Sequence, residues 1–194
     1  MDGAFDEVAG MVMAVRPMQV SDLDAVVQIE SEVQAFPWSR GQLADSLAAG
    51  HQGWVLLAAS TEAGRRRVPG LLHAAARVPM TAVRGYALLL PVLDEIELLT
   101  IAVARACQGQ GYGRLFLSWL MARARAAGMK TMLLEVALRN VPALKLYQAL
   151  GFVRIGRRNG YYRSAGGCTE DAWVMRAALD AVPVPSAGGQ HVID

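Results

Sequence analysis

Between Glu95 and Leu120 the chain passes from an apolar, strand-like run, Ile96 to Val103, through Gln108-Gly109-Gln110-Gly111-Tyr112-Gly113-Arg114 into a helix pattern carried by Leu115, Trp119 and Leu120. A strand that feeds a glycine turn opening a helix leaves the first N–H groups of that helix without intrahelical partners, at the positive end of its dipole. Such a turn is a phosphate site. Spacing excludes two kinds of nucleotide loop. A dinucleotide fingerprint needs a third glycine, but the position is Arg114 counted from Gly109 and Gly111, and Phe116 counted from Gly111 and Gly113. A P-loop ends in Gly-Lys-Ser/Thr, and the lysines of this chain are Lys130 and Lys145, both outside the loop.

With 194 residues, of which 54% are hydrophobic, the chain is long enough for one domain with a sizeable core. No uninterrupted apolar run approaches the roughly 18 residues a membrane span requires. The first fifteen residues carry Asp2, Asp6 and Glu7 and no basic residue, the wrong sign for a targeting leader. The expectation is a soluble, cytoplasmic protein with no membrane partner. Cys107 and Cys168 are far apart, which gives neither a disulfide framework nor a Cys-x-x-Cys motif, so both are expected as reduced thiols. His51, His73 and His191 lack ligand spacing, and no metal is expected. A net charge of +2 is too mild to demand nucleic acid, and the Arg65-Arg66-Arg67 triplet reads as a solvated loop.

Residues 1–10 are acidic and Gly/Ala-rich and are expected as a disordered extension, with Met11 or Met13 as a possible true start. A domain is expected over 11–182 and a disordered Pro/Gly/Ser-rich tail over 183–194. Met11 to Arg16 reads as a strand. Ser21 with Asp24 is a capping signal, and Leu23, Val26, Val27 and Ile29 give the next helix one apolar side, to about Val33. Pro37 disfavours helix for Phe36, and Ser39 with Gln42 caps a second helix, Arg40 to Ala49. Trp54 to Ala59 and Tyr86 to Val92 read as strands separated by an insertion over 61–83, either partly helical around Leu71 to Arg77 or mobile. Gly128 ends the helix after the glycine loop, and Thr131 to Val136 is a buried strand. Asn140 and Pro142 open a short helix that closes at Gly151. Phe152 to Arg157 and Asp171 to Arg176 are two last strands around Tyr161-Tyr162.

The run Gln108-x-x-Gly111-x-Gly113 after a strand resembles the acetyl-CoA pyrophosphate loop of the GNAT acetyltransferases, and the order of elements is similar to theirs. Phe36-Pro37-Trp38-Ser39, Leu134-Glu135-Val136 with Asn140, Leu146-Tyr147 before Leu150-Gly151-Phe152, and Arg157-Arg158-Asn159-Gly160-Tyr161-Tyr162 resemble the RimI-type ribosomal-protein-alanine N-acetyltransferases. The resemblance covers about residues 11–179. It implies an α/β fold with a central mixed sheet flanked by helices, acetyl-CoA as cosubstrate, and a protein N-terminal α-amine, that of a ribosomal protein, as acceptor. Ala137 and Arg139 stand where that subfamily often has arginine and serine.

Acetyl transfer from a thioester to an amine needs a deprotonated amine, a polarised carbonyl and a protonated leaving thiolate. By resemblance, a bulged and splayed central strand would free backbone N–H groups near Ile101, Ala102 and Val103. Gly109, Gln110, Gly111, Tyr112, Gly113 and Arg114 would hold the pyrophosphate, and Asn140 would contact the cofactor. Glu135 sits in an apolar run, where an unpaired carboxylate is expensive and burial favours a useful base. The resemblance makes it the acceptor of the amine proton, and a salt-bridged structural glutamate is the alternative. Tyr147 matches the general acid, against a plain core aromatic. Phe36, Trp38, Tyr161 and Tyr162 would line the acceptor side. Two other functions are weighed: acetylation of lysine side chains or small amines, and a non-catalytic acyl-CoA sensor.

Overall fold

The computed structural model describes residues 5–8, 11–34, 37–58, 82–163 and 169–180. Among the described residues, eight strands form one sheet: β1 (Phe5–Val8), β2 (Met11–Pro17), β3 (Gln52–Ala58), β4 (Val83–Val92), β5 (Glu95–Val103), β6 (Thr131–Ala137), β7 (Val153–Arg163) and β8 (Thr169–Ala178), in the order β1-β2-β3-β4-β5-β6-β8-β7. Neighbours pair antiparallel except β5 and β6, which are parallel and joined by a crossover helix. The helices are α1 (Leu23–Val33), α2 (Arg40–Ala48), α3 (Tyr112–Ala126) and α4 (Val141–Ala149). This is the mixed α/β sheet flanked by helices that the sequence predicts. No helix among the described residues is long and apolar enough to cross a membrane.

Each face of the sheet has its own core. On one, Phe116, Leu117, Leu120 and Met121 of α3 and Leu144 and Tyr147 of α4 pack on Ile96, Leu98, Met132, Leu134 and Met175. On the other, Leu23, Val26 and Ile29 of α1 and Leu43 of α2 pack on Val55, Tyr86, Leu88 and Ala102. Each fully buried Leu or Phe contributes about 1.5–3 kcal/mol, so the helix faces are fixed chiefly by burial.

Several local expectations hold. Ser39 Oγ accepts from Gln42 N–H, and the Gln42 side chain accepts from Ser39 N–H at 2.8 Å. Gly128 and Gly151 close α3 and α4 in the left-handed region, at φ 86° and 87°. Others differ. Residues 1–10 contain a strand, because Phe5–Val8 pairs its backbone with the exposed edge of β2. The Ser21 and Asp24 cap does not form and α1 has no side-chain cap; Asp22 instead accepts from Gln19 N–H at 2.8 Å across the 3-10 turn Val20–Asp22 that leads into α1, and from Arg16. Tyr161 and Tyr162 lie within β7, not between strands: Gly160 at φ 64° forms a bulge and the ladder resumes at Tyr162 opposite Glu170. Phe36, the Arg65-Arg66-Arg67 insertion, Cys168 and the tail over 183–194 lie outside the described residues.

Candidate active site

A cleft opens in the middle of the sheet because two neighbouring strands part. β5 and β6 pair from Glu95 opposite Thr131 as far as Leu98 opposite Leu134, and the pairing ends there. The register of β5 against β4 shifts at the same level: Leu88 faces Thr100 and Leu89 faces Leu98, so Leu99 is a bulge residue. The extra residue exchanges the faces of β5, placing Ile101 and Val103 toward α3 and Ala102 toward α1. Ala104 N–H donates to Arg84 C=O at 2.8 Å. By the alternation of an antiparallel ladder, Ala102 N–H also points to β4, whereas the N–H groups of Ile101 and Val103 point into the cleft. Of the three backbone positions expected to face a ligand, two do. Gly85, across from them on β4, has no room for a side chain: a Cβ there would lie 2.8 Å from Ala102 C=O.

The glycine loop sits at the far end of this opened strand. A 3-10 turn, Arg105–Cys107, leads from β5 into it, and Gln108 Nε2 donates to Val103 C=O at 3.0 Å. Gln110 Nε2 donates to Ala106 C=O at 2.8 Å, so both glutamines brace the turn. Gly109 and Gly111 are left-handed, at φ 72° and 88°, and Gly111 is the N-cap of α3. The first bond of the helix runs from Leu115 N–H to Gly111 C=O, so the N–H groups of Tyr112, Gly113 and Arg114 precede the ladder. N–H groups left over at a helix N-terminus are the kind that bind phosphate. Arg84, which sequence reasoning missed, adds a positive charge beside Cys107 and Tyr112. Burial pushes the Cys107 thiol up despite that charge, which keeps it protonated and argues against a nucleophile.

Glu135 follows Leu134 and so stands at the mouth of the cleft, on the sheet side that carries α1 and α2. Its side chain is 8% exposed and its Oε1 lies 2.7 Å from Nε of Arg158. The expected buried carboxylate therefore has a cationic partner, contributed from two strands away. Glu135 lies opposite Val174, and Val174 opposite Gly156, so the missing side chain at Gly156 leaves room on this face for Arg158 to reach across. Arg158 also stacks on Tyr161, 5.5 Å from the ring centre. Asp171 fixes this corner: it accepts from Gly160 N–H at 2.7 Å and pairs with Arg157, and these bonds hold its carboxyl below the usual range.

Tyr147 lies in the last turns of α4, nearly buried, with its ring 5.7 Å from that of Phe152. Its ring packs in the core on the α3 and α4 side of the sheet, and its neighbour Leu146 lies 3.8 Å from where a Gly113 Cβ would be. Asn140 caps α4, its Oδ1 accepting from Ala143 N–H at 3.2 Å, which leaves its NH2 group to donate outward. Trp38 is half-buried against the α1/α2 core. Tyr161 is exposed.

Comparison with known proteins places this geometry. The acetyltransferase (GNAT) family model matches residues 23–152. The ribosomal protein bS18-alanine N-acetyltransferase of Salmonella typhimurium is 34% identical over 158 residues, 81% of this chain and 92% of that protein. The crystal structure of the ribosomal-protein-S18-alanine N-acetyltransferase from Escherichia coli superposes with a TM-score of 0.69 at 27% identity, covering 94% of this chain and 99% of that one. Arabidopsis thaliana NAA60 in complex with acetyl-CoA shares the fold, with a TM-score of 0.68 at 16% identity over 87% of this chain and 99% of its own. The strand-parting cleft, the glycine loop at its end and these likenesses agree: the chain belongs to the GNAT acetyltransferase family.

Proposed function

We propose that this acetyltransferase moves the acetyl group of acetyl-CoA to a protein N-terminal α-amine, and that its acceptor is the N-terminal alanine of a small-subunit ribosomal protein. The observation that carries the reading is the parting of β5 from β6 after Leu98 and Leu134, which directs the Ile101 and Val103 N–H groups at a gap whose other wall carries Glu135. The similarity to bS18-alanine N-acetyltransferases supports the acceptor.

Acetyl-CoA supplies an activated acyl carbon and a thiolate leaving group. The N–H groups of Tyr112, Gly113 and Arg114 would hold its pyrophosphate, with Gly109, Gln110 and Gly111 shaping the turn, and the Asn140 NH2 would donate nearby. Ile101 and Val103 would hold the pantetheine arm and polarise the carbonyl. Glu135 takes the proton of the incoming ammonium, directly or through water, and Arg158 orients it. Tyr147 gives its hydroxyl proton to the departing sulfur. Phe36, Trp38, Tyr161 and Tyr162 form the acceptor side.

A peptide panel tests the acceptor. With acetyl-CoA, kcat/KM should be highest for peptides beginning with alanine and carrying the first residues of a small-subunit ribosomal protein. A preference for spermidine-like amines or for free lysine over every such peptide would overturn the reading.

A further inference from the structure

Glu30 lies on the inward face of α1 with no exposed surface. Both its carboxyl oxygens are cut off from solvent, and neither meets a donor at hydrogen-bonding geometry among the described residues. Burial pushes this carboxyl up from the usual range, opposed by the nearby Tyr86 hydroxyl. That hydroxyl lies 3.3 Å from Thr100 Oγ1. A hydrophobe at position 30 would complete the apolar face of α1, and replacing a buried polar group in this way often stabilises a protein. The carboxyl thus works against stability where it stands.

Its position suggests what it does instead. Tyr86 and Thr100 share the α1 side of the sheet, Tyr86 opposite Ala102 and Thr100 opposite Leu88. Thr100 directly follows the bulge residue Leu99, and Glu135 lies on the same side just beyond the last β5–β6 pair. Glu30, Tyr86 and Thr100 therefore follow one another across α1, β4 and β5, and Glu135 of β6 stands on the same side of the sheet. We propose that Glu30 is a positioning residue for acyl transfer: through the Tyr86 hydroxyl it orients Thr100 and holds the β5 bulge at the angle that sends the Ile101 and Val103 N–H groups into the cleft. The Tyr86 hydroxyl stands between the two groups, near the Glu30 carboxyl on one side and 3.3 Å from Thr100 Oγ1 on the other. The inference rests on the reading of the cleft given above.

The test uses Glu30→Leu, Glu30→Gln and Tyr86→Phe in the full chain, with Tm, CoA affinity, kcat and acceptor KM measured for each. Glu30→Leu should keep or raise Tm and leave CoA affinity and acceptor KM near wild type, while kcat falls about 10-fold or more, the scale of a small misplacement of reacting groups. Tyr86→Phe should show the same loss, and Glu30→Gln, which keeps the shape and a polar oxygen beside Tyr86, should retain most of kcat. Wild-type kcat in Glu30→Leu or Tyr86→Phe would overturn the proposal, as would a kcat loss that follows Tm through all three variants. If Glu30→Leu does not fold, the Tyr86→Phe and Glu30→Gln pair decides in the same way. Should the wild type prefer a different amine, the acceptor reading fails alone, and the variant-to-wild-type ratios are measured with that amine.

Discussion

Arg158 Nε lies 2.7 Å from Glu135 Oε1, and the two side chains differ in exposure, 59% for the arginine against 8% for the glutamate. The guanidinium stands at the surface and the carboxylate at the cleft wall, so Arg158 would orient Glu135 in its proposed role as base. Glu135→Gln should lower kcat about 10²-fold. If the pair were only structural, Glu135→Gln and Arg158→Gln would cost similar stability and leave kcat unchanged.

Tyr147→Phe keeps the ring and its packing on Phe152 but removes the hydroxyl. Stability should stay within about 1 kcal/mol of wild type, as for other packing-conserving changes. kcat should drop about 10²-fold, the scale of a lost general acid. Wild-type turnover in this variant would leave Tyr147 as a core aromatic.

Two glycines separate the loop's backbone geometry from its ligand contact. Gly111 is left-handed, so Gly111→Val strains the N-cap of α3 and should weaken CoA binding at some cost in stability. A Cβ at Gly113 would meet only Leu146 at 3.8 Å and Val103 at 3.9 Å, ordinary contacts, so the fold itself tolerates Gly113→Ala. Calorimetry should show Gly113→Ala binding CoA more weakly with an unchanged Tm. Unchanged affinity would remove the pyrophosphate from this turn.

Two carboxyls should move stability with pH in opposite directions. Arg16 bonds both oxygens of Asp22, at 2.6 and 2.7 Å, and holds that carboxyl below its usual range. Its contribution is present above the unfolded aspartate value of about 3.9 and is lost as pH falls through the lower folded value. Asp22→Asn should cost about 2 kcal/mol at neutral pH, with the difference vanishing in acid. Glu30 is shifted up, so the folded state keeps its proton longer than the unfolded one, and stability falls as pH rises from the unfolded value of about 4.3. Glu30→Gln should remove that decline. Urea unfolding across the pH range checks both.

What the sequence revealed was local. The Ser39 and Gln42 box, the glycines that end α3 and α4, and the glycine loop obey rules that act within a few residues. The cleft depends on where β5 leaves β6, which no short pattern encodes. Arg158 became the partner of Glu135 only through the sheet order β6-β8-β7, which sets a residue of the last hairpin two strands from the cleft. Tyr161 and Tyr162 read as lying between two strands, yet Gly160 bends a single strand that continues through them. Glu30 was legible and overlooked: Leu23, Val26, Val27 and Glu30 stand at the i, i+3, i+4, i+7 spacing of one helix face, which places the carboxyl among hydrophobes.

The acceptor atom decides the central claim. A peptide α-amine has a pKa of about 7.7–8.0 and a lysine side chain about 10.4, so the neutral lysine nucleophile costs about 3.4 kcal/mol more to prepare near neutral pH. On the proposed mechanism, the one carboxylate at the cleft mouth has only the smaller demand to meet. An alanine-initiated peptide with internal lysines, incubated with enzyme and acetyl-CoA and mapped by mass spectrometry, should carry a single acetyl group on its N-terminus, and a blocked N-terminus should abolish turnover. Comparable acetylation of a lysine, or turnover that survives the block, would contradict the account.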